Sequence, residues 1–171
     1  GNRDFLAGDG FASKAGLTLL PDPALVEIAG ASVLLMHGDT LCTDDDAYQM
    51  FRTEVRSPEW RKSFLALPLD QRKAKIEALR QESEAQKRAK PAEIMDVNPA
   101  AVLQVLTSHR CTRLIHGHTH RPALHRLAVA GEACERWVLP DWYERGGYLA
   151  CDASGCRLLE WPPAARGLAT R

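Results

Sequence analysis

The spacing of apolar residues changes several times along the chain, and each change marks an element. Between residues 25 and 36 they crowd into two short runs, Leu25-Val26-Glu27-Ile28 and Ser32-Val33-Leu34-Leu35-Met36, separated by Ala29-Gly30-Ala31. β-Branched and aliphatic residues on either side of a glycine predict a hairpin. The second run is apolar almost throughout, as in a strand buried on both faces, and it leads directly into His37-Gly38-Asp39-Thr40. Over residues 44–90 the spacing becomes helical. Tyr48, Phe51 and Val55 recur at helical intervals, Ser57-Pro58 reads as an N-cap followed by Pro at the first helical position, and Trp60 and Phe64 sit four apart. The stretch 70–90 is mostly charged and, beyond Ile76 and Leu79, offers little to bury. Such a helix is either a solvated surface or a cover projecting from the body, and periodicity leaves both open.

Asn98-Pro99 repeats the cap-then-proline signal and starts a helix expected to carry Val102, Leu103 and Leu106 inward. Leu114-Ile115 then predicts a short strand running into His116-Gly117-His118-Thr119-His120. Further strands are expected over 124–128, 136–139, 148–151 and 156–160, before Pro162-Pro163. The prediction is an α/β fold: one domain over residues 1–171 with a helical insertion at 44–95.

Composition narrows the function without choosing one. Hydrophobic residues are 45% and charged residues 26%, an ordinary globular profile, and 22 basic residues balance 22 acidic ones. With no basic excess, nucleic acid is not an expected partner. The five cysteines contain no CxxC pair, and an odd, scattered set favours free thiols in a reducing compartment. Cys151 and Cys156 could nevertheless face each other across a turn at Asp152-Ala153-Ser154-Gly155. The longest aliphatic run, Val33-Leu34-Leu35-Met36, is too short to span a bilayer, and no signal-peptide pattern precedes it. A soluble, cytoplasmic protein is expected.

Three motifs place ligand-type residues at or near predicted strand C-termini, where open α/β sheets collect their sites: Gly1-Asn2-Arg3-Asp4, His37-Gly38-Asp39 and Gly117-His118-Thr119-His120. In an extended segment His118 and His120 would point to the same side. Imidazole suits Zn, Mn or Fe, and two neighbouring ions could share such a pair. A lone histidine is more often a plain polar residue; three within five residues after a strand and beside a glycine favour metal binding. Taken alone, His37-Gly38-Asp39 also reads as a turn with Asp39 as a helix N-cap, and Asn2 as a cap.

In this order the motifs resemble the later motifs of the calcineurin-like metallophosphoesterases. Within that superfamily, Gly1-Asn2-Arg3-Asp4-Phe5-Leu6, His37-Gly38-Asp39-Thr40-Leu41-Cys42-Thr43-Asp44-Asp45, Ile94-Met95-Asp96-Val97-Asn98 and His116-Gly117-His118-Thr119-His120-Arg121-Pro122 are similar to the UDP-2,3-diacylglucosamine diphosphatases of Gram-negative lipid A biosynthesis. The likeness covers most of the chain, to about Tyr143. It implies a metallophosphoesterase sandwich with a helical lid, and two Mn²⁺ ions held by Asn2, His37, His118 and His120. Arg3 and His118 are the implied catalytic residues; a fixed guanidinium suits a diphosphate oxygen. Implied substrate contacts are Asn2, Arg3, Asp45, Arg80, Ser83, Lys87, Lys90 and His118. Phe51, Trp60 and Phe64 would form an apolar chamber for acyl chains, although each equally reads as packing within the insertion.

The implied reaction is hydrolysis of UDP-2,3-diacylglucosamine to UMP and 2,3-diacylglucosamine 1-phosphate by metal-activated water attacking the α-phosphorus. The implied location is peripheral, on the cytoplasmic side of the inner membrane. Two other readings stay open: a phosphoesterase of the same fold acting on a different nucleotide or phosphodiester, and a non-catalytic metal-binding fragment. Enzymes of this kind begin with DxH and GDxxD motifs, and neither precedes Asn2. The chain is therefore expected to lack the N-terminal part of its domain. Four neutral ligands without a bridging carboxylate would hold two divalent ions poorly.

Overall fold

A computed structural model of the chain describes residues 1, 4–91, 93–143 and 146–162, without the side chains of Lys87 and Ala89. These residues belong to two compact units: Gly1–Thr18 with Asp39–Ala101, and Leu19–Gly38 with Val102–Arg171. The first is helical; the second carries all the strands among the described residues.

In the second unit the expected hairpin forms from β1 (Ala24–Ile28) and β2 (Ala31–Met36), with Ile28 opposite Ala31. Its two loop residues, Ala29 and Gly30, have φ of 51° and 77°, the left-handed pair that matches the twist of the flanking strands. Beyond it come β3 (Arg113–His116), β4 (Ala123–Val129) and β5 (Glu132–Val138), and the five strands line up as β1-β2-β3-β5-β4. β2, β3 and β5 run parallel, whereas the hairpins β1–β2 and β4–β5 are antiparallel. Parallel pairing of β2 with β3 needs a crossover, which the long segment between them supplies.

Adjacent strand residues face opposite ways, yet Val33 and Leu34 are both fully buried, so the middle of β2 is covered on both sides as its apolar run predicts. Val33 packs with Ile115 and Trp137, and against Leu149, Cys156 and Leu158 of a second, two-stranded sheet formed by β6 (Gly146–Asp152) and β7 (Gly155–Trp161). Each fully buried aliphatic side chain contributes about 1.5–3 kcal/mol. One helix ends in this unit: α5 (Pro99–His109), capped by Asn98, whose Oδ1 accepts from the Ala100 and Ala101 N–H groups at 2.8 and 3.2 Å. Val102 and Leu106 are buried as expected, but Leu103 is 42% exposed. A residue adjacent to Val102 lies about 100° further round the helix, outside the narrow buried stripe.

The β6–β7 register sets Cys151 opposite Cys156, and a disulfide joins them, with Cα atoms 4.1 Å apart. This corrects the expectation of free thiols: the short turn at 153–154 places the two residues directly across the hairpin, a proximity that compartment statistics do not see. Asp152 secures the turn by accepting from the Ser154 N–H at 2.8 Å and from Arg157 at 2.7 Å. Cys42, Cys111 and Cys134 are buried and take no part in that disulfide.

The helical unit contains α1 (Asp9–Ala15), α2 (Asp46–Val55), α3 (Pro58–Ala66) and α4 (Leu69–Ala89). Ser57 caps α3 through the Trp60 N–H at 3.2 Å, as its sequence signal predicts. The cap of α2 is Asp45, through the Tyr48 N–H at 3.0 Å, and not Asp39. Asp39 instead opens a 3-10 turn, Asp39–Leu41, with its side chain fully buried. Its Oδ2 accepts from Arg52 Nε at 2.7 Å and Arg56 Nη2 at 2.8 Å. Two guanidinium donors, Arg52 on α2 and Arg56 at its C-cap, offset the desolvation of that carboxylate. None of the described α4 side chains is buried, in keeping with its charge.

Removing the carboxylate strands two partly buried arginines. Asp39→Ala is expected to lower the unfolding free energy by about 3 kcal/mol, read as a fall in the urea midpoint at unchanged slope. A loss below about 1 kcal/mol would place Asp39 among the weak surface ion pairs.

Candidate functional site

Parallel pairing decides where the histidines meet. Met36 pairs with His116 at the ends of β2 and β3, so the residues that follow both strands leave the sheet at one edge. The Gly117 N–H donates to the His37 carbonyl at 3.1 Å, which carries the ladder one step past the strands. Beyond that bond the His37 and His118 rings approach edge-on, with centroids 4.9 Å apart and planes at 66°. His120 lies further along the same loop. Its Nδ1 is 3.7 Å from Asp141 Oδ2, and its ring meets Tyr143 edge-on at 5.9 Å.

His118 and His120 do not share a side by strand alternation. The loop bends at both, with φ of 65° and 53°, so the extended geometry expected for this segment is replaced by left-handed turns. Left-handed backbone costs a non-glycine residue about 1–2 kcal/mol, and such strain collects at functional sites. His37, His118 and His120 all line a cavity of about 740 Å³, walled by Ile28 and Ile115 on one side and Tyr148, Leu149 and Cys151 of β6 on the other. Its chemistry is polar at one end, where the imidazoles sit, and apolar elsewhere.

The structure brings His37, His118 and His120 to one cavity, with His37 and His118 in ring contact and His120 further along the loop. Among the described residues, no group of three or more His, Cys, Asp or Glu side chains is gathered closely enough to hold a metal ion. Asn2, Arg3 and the side chain of Lys87 lie outside the described residues. Asp141 and Tyr143 were not singled out by sequence reasoning; their position just past the end of β5, a strand parallel to β2 and β3, is the signal that points to them.

In the helical unit, Lys90 Nζ lies 2.6 and 2.8 Å from the two carboxylate oxygens of Asp45, which also caps α2. Arg80 and Ser83 are exposed on α4. The predicted acyl-chamber residues fall into two places. Trp60 stacks on buried Phe64 at 4.9 Å and 6°, with Phe5 6.4 Å from Trp60. Phe51, 41% exposed, instead borders a cleft of about 1040 Å³ between α2 and α4, together with Tyr48, Leu79 and Ser83. Burial, followed by repulsion from Asp39, pushes the Tyr48 hydroxyl well above its ordinary pKa, so it stays protonated.

No family model matches the chain, but individual proteins do. It is 53% identical over 165 residues to a UDP-2,3-diacylglucosamine hydrolase of Aromatoleum aromaticum, covering 96% of this chain and 65% of that protein. It is 48% identical over 162 residues to the protein of the same name from an Enterobacter species, covering 95% and 68%. The chain belongs to the UDP-2,3-diacylglucosamine hydrolase family. A relative in Bordetella pertussis matches at 50% identity, over 94% of this chain and 64% of its own length. The chain thus spans about two thirds of the length of the family members it matches. The loops bearing His37, His118 and His120 all fall within these alignments, which leave out only a few per cent of the chain.

Backbone strain at His120 gives a direct check of the site's geometry. His120→Gly should be more stable than His120→Ala by about 1 kcal/mol, because alanine keeps the left-handed cost that glycine escapes. Equal melting temperatures for the two variants would contradict the bent loop.

Proposed function

We propose that the protein hydrolyses the diphosphate of UDP-2,3-diacylglucosamine, releasing UMP and 2,3-diacylglucosamine 1-phosphate in lipid A biosynthesis. The observation that carries this reading is near-50% identity, along almost the whole chain, to proteins named for acting on that substrate. The mixed sheet with a second sheet packed on one face supports a calcineurin-like metallophosphoesterase sandwich, and residues 44–95 act in this reading as a helical lid.

The donor chemistry fits a metal centre in part. Neutral imidazole is a ligand for borderline divalent ions, and the strained backbone at His118 and His120 suits positions held for their side chains. Asn2, His37, His118 and His120 are the proposed ligands of two Mn²⁺ ions. A metal held there would supply Lewis-acid activation of water and positive charge beside the phosphoryl oxygens. The chain's own residues orient the substrate. His118 touches the reacting phosphoryl group, and Arg3 presents a fixed fork of donors to the diphosphate. Lys90 adds a second cation, its ammonium held by Asp45 and so kept from wandering. Arg80, Ser83 and Lys87 are further proposed substrate contacts, and Phe51, Trp60 and Phe64 proposed acyl-chain contacts.

Among the described residues, no helix is long and apolar enough to cross a membrane. The proposed association with the inner membrane is peripheral, on the cytoplasmic side, through the amphiphilic substrate.

UMP release from UDP-2,3-diacylglucosamine by the chain extended to the full length of its relatives, followed with Mn²⁺ and with chelator, tests the reading. Metal-dependent release is expected, with His120→Ala lowering kcat/KM by about 100-fold or more. Full activity of that variant would contradict the assignment of His120. Equal turnover of simple nucleotide diphosphates would move the protein to a phosphoesterase of different substrate.

A further inference from the structure

Three histidines stand in the His116-Gly117-His118-Thr119-His120 segment, and the structure gives the first a different task. We infer that His116 is a positioning residue, a wedge that fixes the spacing of the loops bearing His37 and His118 and donates neither nitrogen to metal or substrate. The inference rests on the proposed reading that His37 and His118 act together.

His116 is 1% exposed, and both of its ring nitrogens are engaged inside the fold. Nε2 lies 3.1 Å from Nη1 of Arg136, a residue only 8% exposed. A guanidinium has donors and no acceptor, so Nε2 must accept. The ring proton therefore sits on Nδ1, which donates to the Gly117 carbonyl at 2.9 Å. With one nitrogen capped by an arginine and the other bonded to backbone, no lone pair is left to face the cavity. His116 does not line that cavity, whereas His37, His118 and His120 do.

Steric contact explains why the ring sets a distance. Gly38 has φ of 103°, and a Cβ placed on it would come within 2.7 Å of His116 Nδ1 and 3.2 Å of His116 Cβ and Cγ. The imidazole thus fills the space beside Gly38, immediately after His37. Its own backbone is tied on the opposite side, where the Leu139 N–H donates to the His116 carbonyl at 2.8 Å. Packed against Gly38, bonded to Gly117 and anchored to Arg136, one ring links both loops, and the His37 and His118 rings meet just beyond it at 4.9 Å. Groups that orient metal ligands from behind change metal affinity about 10–100-fold when replaced.

Nitrogen-15 spectroscopy of the imidazoles in the full chain, without and with Zn²⁺ as a diamagnetic probe, tests this. The expected result is a His116 ring protonated at Nδ1 and unprotonated at Nε2 in both states, while the His37 and His118 nitrogens shift on Zn²⁺ addition. A His116 ring protonated at Nε2, or one whose nitrogen moves as a ligand, would overturn the inference. Zn²⁺ that moves no imidazole would overturn the metal reading instead, and the His116 tautomer would still decide for or against its own assignment.

Variants supply the second arm. His116→Ala empties a fully buried position, so His116→Asn, which keeps a donor for Gly117, and His116→Gln, which keeps an acceptor for Arg136, are used with Gly38→Ala. Gly38→Ala is expected to weaken Zn²⁺ binding by about tenfold or more in protein that still melts cooperatively, with at least one of the two amides restoring part of the affinity lost by the other. Wild-type Zn²⁺ affinity in all folded variants, with only their melting temperatures lowered, would reduce His116 to ordinary core packing.

Discussion

Everything at the site depends on one non-local pairing, that of β2 with β3. Their register, Met36 against His116, sends two loops out of the same sheet edge. It is enforced from both faces. Val33 and Ile115 bury toward the two-stranded sheet, and Leu34 and Leu114, partners across the ladder, are fully buried on the other side. A slip by one residue would exchange these faces and separate the histidines. At about 1.5–3 kcal/mol for each buried aliphatic side chain, the register is far better determined than the loops that it positions. The rigid part of the protein is apolar, and the chemistry sits one or two residues beyond its end.

A second constraint begins just after Gly38. Asp39 carries a charge into full burial, which Arg52 of α2 and Arg56 at its C-cap make tolerable. The Gln49 amide donates to the backbone carbonyls of Asp39 and Cys42 at 2.8 and 3.0 Å. The start of the helical unit is therefore held by charge-assisted bonds, where the sheet unit is held by packing. Consecutive residues of a single motif thus serve three ends: His37 lines the cavity, Gly38 makes room for a neighbouring ring, and Asp39 anchors Arg52 and Arg56.

Much of this could be read from sequence. The β1–β2 hairpin, the caps at Ser57 and Asn98, and the strand leading into the histidine cluster all rest on local signals, and local signals are visible in one dimension. The order of the motifs was enough to suggest the family. What escaped is either non-local or finely geometric. Nothing local distinguishes His116 from His118, since the difference lies in Arg136, twenty positions away on the neighbouring strand β5. The bends at His118 and His120 replace an assumed extended segment, because the loop turns as soon as strand pairing ends. α1, bounded by Gly8 and the left-handed Gly16, was not foreseen, nor was the Cys151–Cys156 bridge favoured, since it follows from a hairpin register. Phe51 parted from Trp60 and Phe64 because helical spacing within α2 and α3 does not say which helix each will face.

In the proposed function, the β2 and β3 loops hold His37 and His118 as a pair for a divalent ion. Anomalous diffraction at the manganese edge from crystals grown with Mn²⁺ tests it most directly. The account predicts an anomalous peak within coordinating distance of the His37 and His118 imidazoles, with both nitrogens of His116 still bonded to Arg136 and Gly117. A peak coordinated by His116, or well-ordered His37 and His118 rings with no metal between them at saturating Mn²⁺, would contradict it.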